Sequence, residues 1–256
     1  MPRYLVLMGS GENSPAMVTP HQMILKDHGK NSYRINLDTP YGFQENADEL
    51  TARILGYFET NVGFPAKEVQ ARSAAANAAE IASEIEKADW VFSGPGSPTY
   101  ALRIWRELGI DKALHSLMQR GSVVMASAAA MSLGSKVMPV YEMYKVGADP
   151  HWLDGLDVLG KATGINAVVV AHFNNTQGGT HDTRYCFVGQ KRMDVLKEQL
   201  DNKVAILGID EHTGISFNLE TYQAQVFGKG EVTFIKGGDT RVIPAKKVID
   251  YRDLIG

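Results

Sequence analysis

Apolar and polar positions fall into alternating blocks along the first half of the chain, and the blocks read in turn as strands and helices. Tyr4–Met8 is a short apolar run that predicts a buried strand. The polar turn Gly9-Ser-Gly-Glu-Asn-Ser-Pro follows, and then a helix over about 15–27, with Gly29 ending it. A second strand is predicted at 33–37, closed by Asp38-Thr-Pro-Tyr-Gly. The next helix, over 45–60, puts Ala47, Leu50, Ile54 and Tyr57 on one face. A third strand is predicted at 67–71, an Ala-rich helix at 74–87, and a fourth strand at Trp90–Ser93. Gly94-Pro-Gly-Ser-Pro opens a helix over 99–108, and another over 110–120 precedes the strand that holds Val123 and Val124. This alternation predicts a mainly parallel, doubly wound sheet with helices on both faces, a three-layer α/β fold.

The second half changes pattern. Residues 140–147 are polar and aromatic, and His151-Trp-Leu-Asp-Gly-Leu reads as loop. Residues 167–171 form a strand, followed by the polar run His172-Phe-Asn-Asn-Thr-Gln-Gly-Gly-Thr-His-Asp-Thr-Arg184. A helix is predicted over 193–200. Residues 204–209 and 214–218 read as a hairpin-like pair around Asp210-Glu-His-Thr, and 224–227 with 231–235 as another around Gly228-Lys-Gly. With no low-complexity linker and no repeat, residues 1–256 are expected to form a single domain with a β-rich C-terminal edge.

Composition narrows the chemistry. The chain has 256 residues, 44% hydrophobic and 21% charged, with a net charge of -3, so no basic field invites nucleic acid. No apolar run approaches the roughly 18–20 residues that span a bilayer, and the N-terminus reads as a first strand rather than a signal peptide. The single cysteine, Cys186, excludes an intrachain disulfide and reads as a core thiol; a cytoplasmic location is expected. No zinc-type spacing of histidine and cysteine occurs, so no metal or cofactor is expected.

The candidate chemistry gathers at the carboxyl ends of the predicted strands, where ligands sit in such sheets. Ser127 stands where a β-branched run gives way to Ala128-Ala-Ala-Met, the strand-to-helix junction that a nucleophile elbow requires. The alternative is a small serine in a tight junction. Gly94-Pro-Gly-Ser likewise follows a strand and opens a helix. Pro95 has no N–H, so an oxyanion donor there comes from Gly96 or Ser97, paired with the N–H of Ala128. His172 ends an apolar strand, where a general base belongs, and Arg184 offers a fork for a substrate carboxylate.

These features resemble the cyanophycinase and dipeptidase E group of serine peptidases, which have a class I glutamine amidotransferase-like, flavodoxin-like fold. The resemblance spans roughly residues 3–220. It rests on Gly94-Pro-Gly-Ser, Ala126-Ser-Ala-Ala-Ala, Tyr141-Glu-Met, His172-Phe and Leu207-Gly-Ile-Asp-Glu-His-Thr, in that order. It implies Ser127 as nucleophile, His172 as base and Glu142 as the carboxylate that orients it. Gly96 and Ala128 are then the oxyanion donors, and Ser97, Asn174, Asp182 and Arg184 touch the substrate. The elbow departs from the group's usual Gly-x-Ser-Ala-Gly-Ala at Met125 and Ala129. The implied activity is hydrolysis of a small peptide or amide, in one version with an acidic N-terminal residue, through an acyl-enzyme. The alternatives are a catalytically inactive small-molecule-binding protein of the same fold, or an esterase or acyltransferase with the same triad. Neither nucleic acid nor membrane is an expected partner, and homodimerisation is left open.

Overall fold

The computed structural model describes residues 2–255. The first half alternates as its pattern predicts: β1 (Tyr4–Met8), α1 (Val18–His28), β2 (Arg34–Leu37), α2 (Ala47–Tyr57), β3 (Lys67–Val69), α3 (Ala78–Lys87), β4 (Trp90–Ser93), α4 (Pro98–Leu108), α5 (Ile110–Leu117), β5 (Ser122–Ala126) and α6 (Ala128–Ser132). A short hairpin, β6 (Lys136–Val137) and β7 (Leu153–Asp154), encloses the 140–147 stretch; α7 (Val158–Thr163), β8 (Ala167–Val170) and α8 (Gln190–Glu198) follow. The chain ends in β9 (Ala205–Ile209), β10 (Thr213–Asn218), β11 (Gln223–Gly228), β12 (Glu231–Lys236), β13 (Asp239–Pro244) and β14 (Val248–Asp250).

The large sheet has the order β14-β11-β10-β1-β5-β4-β2-β3. Its β1, β5, β4, β2 and β3 are parallel, and β10, β11 and β14 add an antiparallel edge beyond β1. The chain moves outward from β1 through β2 to β3, and β4 and β5 return to fill the space between. Met8 thus pairs with Ala126, and Met125 with Ser93, so the turns after β1, β4 and β5 leave the sheet side by side.

Successive strand residues face opposite sides of the sheet, and the apolar core divides accordingly. Val6, Met8, Phe92, Val124 and Ala126 pack against α1 and α2 through Ile24, Leu25, Ile54 and Tyr57. Leu5, Leu7, Val91, Val123 and Met125 pack against α3, α4 and α5 through Ile81, Ile85, Trp105 and Leu114. Ser97 caps α4 by accepting from Tyr100 N, with Pro98 at the first helical position, and Asn77 caps α3 through Glu80 N.

The C-terminal pairing differs from the expectation. β9 and β10 are not a hairpin, and neither are β11 and β12. β9 and β12 belong to a second sheet, β13-β12-β9-β8, whereas β10 and β11 lie in the large one. At Asp210–His212 the chain crosses from the small sheet to the large, and at Lys229–Gly230 it crosses back. The two crossings are tied together: Asp210 Oδ2 accepts from Glu231 N at 3.1 Å, Thr213 Oγ1 from Gly230 N at 2.8 Å, and His212 O from Lys229 N at 2.9 Å. A strand–turn–strand pattern fixes two strands and a bend but is silent on which sheet each joins.

One core position has a pH consequence. His21 of α1 is 1% exposed among Tyr57, Phe58 and Phe92, and its Nε2–H donates to Glu12 O at 2.9 Å. Burial opposes a charge on this ring and lowers its pKa from 6.5 to about 4. The folded state therefore holds the neutral form while the unfolded chain takes up a proton. This part of the stability is complete above pH 6.5 and is lost as the pH falls toward 4, by about 3 kcal/mol. Urea unfolding at pH 7 and pH 4 should show a smaller acid-side loss in His21→Phe than in wild type. Parallel pH curves for the two proteins would contradict this assignment.

Candidate active site

Ser127 sits in the sharp turn between β5 and α6, with φ 50 and ψ -116. Residues other than glycine enter this region at a cost of about 1–3 kcal/mol. The turn is held because Ser127 N donates to Met8 O at 2.9 Å and Met131 N to Ser127 O at 3.0 Å. Small neighbours permit it, since Ala126, Ala128 and Ala129 are all buried. Met125 does not obstruct the elbow. It points into the core on the α3–α5 side, away from Val124 and Ala126.

His172 lies two residues beyond the end of β8, also at positive φ, 49. Its Nε2 is 3.0 Å from Ser127 Oγ, and its Nδ1 is 3.0 Å from Glu211 Oε1. A carboxylate only accepts, so Nδ1 carries the proton, and Nε2 is free to accept from the Ser127 hydroxyl. Glu211 occupies the crossing after β9, the parallel neighbour of β8. Its Oε1 also accepts from Asn175 Nδ2 at 2.8 Å, and its N donates to Asn174 Oδ1 at 2.8 Å. Burial acts to raise the Glu211 carboxyl. The hydrogen bonds from His172 and Asn175 outweigh it, and the net shift is downward.

Glu142, the carboxylate expected beside His172, is not brought to it. Glu142 makes no hydrogen bond to His172; its Oε2 accepts from Thr99 Oγ1 at 3.0 Å. It lies in a π-helical turn, Glu142–Val146, on the rim of a groove of about 220 Å³ shared with Phe43, Ser97, Thr99, Tyr100 and Arg103. Asn174 and Ser97 act on backbone groups, the first on Glu211 and the second as the cap of α4. Arg184 is not free to hold a substrate: Nε and Nη2 both donate to the Asp182 carboxylate, at 2.9 and 2.7 Å. The Arg184 guanidinium, followed by the N–H of Gln190, holds the Asp182 carboxyl far below the usual carboxylate range. The pair is a local clasp because the two residues are only two apart and Asp182 also receives Arg184 N. Sequence reasoning missed Glu211 and Asn175. The available signal was that β8 and β9 are adjacent apolar strands, each ending two residues before a polar side chain.

Gly96 has φ 144, and a Cβ there would lie 2.0 Å from Pro40 O. Ser97 N is already committed to Pro40 O at 2.8 Å. Among the described residues neither Gly96 N nor Ala128 N donates to a protein acceptor. Both residues line a cavity of about 50 Å³ over Ser127 and His172, walled by Pro98, Met131, Val140, Tyr141, Cys186 and Phe187. Cys186 is a buried thiol whose pKa burial pushes up to about 12, so it stays protonated. Beneath the site Glu12, 6% exposed, has its carboxyl raised by burial. Its own N–H and the charges of His172 and His212 offset this in part.

In fold the chain is similar to a peptidase from an acI-B1 Actinobacterium, with a TM-score of 0.75 and 21% identity over 98% of this chain and 97% of the other. It is also similar to a putative peptidase E protein from Listeria monocytogenes EGD-e, with a TM-score of 0.58 and 15% identity over 96% and 100%. No match was found among curated proteins. The sequence profile of peptidase family S51 matches residues 5–225. The chain therefore belongs to peptidase family S51, a family of serine peptidases, as its resemblance to the dipeptidase E and cyanophycinase group implied.

Proposed function

We propose that this serine peptidase cleaves a small peptide or amide through a triad of Ser127, His172 and Glu211. The observation that carries the reading is the unbroken hydrogen-bonded line from the Ser127 hydroxyl through the imidazole to the Glu211 carboxylate. Nε2 takes the hydroxyl proton as Oγ bonds to the scissile carbonyl carbon. The oxygen of that carbonyl becomes an oxyanion, which the N–H groups of Gly96 and Ala128, both without a protein acceptor among the described residues, stabilise. Collapse breaks the C–N bond while Nε2–H protonates the departing amine. Water then attacks the acyl carbon as Nε2 takes its proton, and collapse breaks the C–Oγ bond, frees the acid and returns that proton to Ser127 Oγ. Glu211 holds Nδ1–H throughout and supports the imidazolium. Its position on a rigid crossing, with Asn174 and Asn175 bonded to it, spares the ring a search for its orientation.

Glu142 takes a different part in this proposal. A carboxylate on the rim of the groove beside the nucleophile suits the α-ammonium of a short peptide, and Thr99 holds it in place.

Three experiments test these roles. A fluorophosphonate probe should label wild type and leave Ser127→Ala unlabelled; a folded wild-type protein that takes no label would end the hydrolase reading. Against a cleaved peptide, Glu211→Gln should lower kcat roughly a thousandfold or more, whereas Glu142→Gln should act mainly on KM. The opposite split would return the orienting role to Glu142. Gly96→Ala should lose about 1–3 kcal/mol of stability, because only glycine holds this backbone, and most of its activity. Unchanged melting and turnover would remove Gly96 from the oxyanion site.

A further inference from the structure

The cavity over Ser127 is small, and its walls carry no cation. Besides Ser127 and His172, the side chains that bound it are those of Pro98, Met131, Val140, Tyr141, Cys186 and Phe187. Met131 is 0% and Val140 2% exposed, so neither wall can swing into solvent without opening the core. Cys186 and Phe187, which also line it, belong with Tyr185 to a run of three successive residues at φ 59, 57 and 69. This left-handed turn is pinned to the strand end that carries the imidazole, because Tyr185 N donates to Phe173 O at 3.1 Å and Cys186 N to His172 O at 3.2 Å. Phe187 N closes the turn on Thr183 O at 2.9 Å. The nearest arginine in the sequence, Arg184, is held by both oxygens of Asp182 and does not reach the cavity. Arg103 lines the neighbouring groove and not this one.

We infer that the cavity receives the side chain of the residue whose carbonyl is attacked, and that it selects a small, uncharged one: glycine, alanine or serine at the N-terminus of the peptide. The inference rests on the proposal that Ser127 is the nucleophile. A water needs about 10–15 Å³ of such space, so about 50 Å³ suits a side chain of a few heavy atoms. An acidic or basic side chain would leave water for walls of thioether, thiol, aliphatic and aromatic groups, with no opposite charge to meet it. The acidic N-terminal residue considered from the resemblance is thereby disfavoured in this chain. Each methylene that does not fit, or that is missing, changes kcat/KM about 10–200-fold in an apolar pocket.

The test is a panel of dipeptides with one common second residue, leucine, and glycine, alanine, serine, leucine, phenylalanine, aspartate or arginine in front. Glycyl, alanyl and seryl dipeptides should be cleaved with kcat/KM at least tenfold above the leucyl, aspartyl and arginyl ones. Met131→Ala should raise the leucyl-to-alanyl ratio about tenfold. A preference for aspartyl or arginyl dipeptides overturns the inference, as does cleavage of none of the small-residue dipeptides by a protein whose Ser127 still takes the fluorophosphonate label. So does an unchanged ratio in a Met131→Ala protein that melts like wild type. In these cases the labelled serine leaves the hydrolase reading standing. Absence of both label and hydrolysis overturns the two together.

Discussion

The site depends on a join between two sheets. Ser127 leaves the large sheet at β5, while His172 and Glu211 leave the small one at β8 and β9. Nothing in either sheet alone sets their separation. It is set by the crossing at Asp210–His212, which is fastened to the loop after β1. Gly9 N donates to Thr213 O at 2.9 Å, and His212 N to Ser10 Oγ at 3.2 Å. Gly9 lies so close to the crossing that a Cβ there would be 2.2 Å from Asp210 O, which is why glycine follows β1. The same β1 loop begins at Met8, whose carbonyl holds Ser127 N. One loop therefore grips both the Ser127 turn and the crossing that carries Glu211.

The strain distribution fits this picture. Among the described residues other than glycine, nine have positive φ, and six of them, Ser127, His172, Tyr185, Cys186, Phe187 and His212, lie in or beside the site. Each such residue costs of order 1–3 kcal/mol and persists only where its surroundings over-determine it. The surroundings here are buried strands and a doubled crossing, so the core bears the strain and the reactive groups keep their places. Preorganisation of this kind moves work from the moment of reaction to the moment of folding.

Much of this was legible in the chain. β1 and β4 have the bounds that their apolar runs predicted, and the alternation of strand and helix gave the parallel sheet and its two packed faces. Ser127 and His172 each follow an apolar strand, as the pattern predicted, but the two strands lie in different sheets. Glu211 was not legible, although it lies within Leu207-Gly-Ile-Asp-Glu-His-Thr. The stretch 204–218 reads as a hairpin, and a hairpin would have put Glu211 at a solvent-facing tip. Only the split of β9 and β10 between two sheets turns that tip inward against β8. Arg184 shows the reverse case. A guanidinium in a polar loop looks available, and its capture by Asp182 depends on a backbone turn that composition does not encode.

The departures from the family's usual glycines bear on whether such a site could still work. A methionine two residues before the nucleophile is harmless when the elbow's strand alternates strictly, because Met125 then falls on the opposite face from Ala126 and fills the core between β5 and the α3–α5 layer. Pro95 removes one N–H, but it is exposed, and the conformation that matters is one residue later at Gly96. Proline fixes its own φ and restrains the residue before it. It therefore stiffens the turn on one side while Ser97 N, bonded to Pro40 O, stiffens it on the other. A glycine caught between two such restraints loses the freedom that usually makes glycine-rich donors imprecise. Pro95 thus takes away one N–H but leaves that of Gly96 in a turn with little freedom to move.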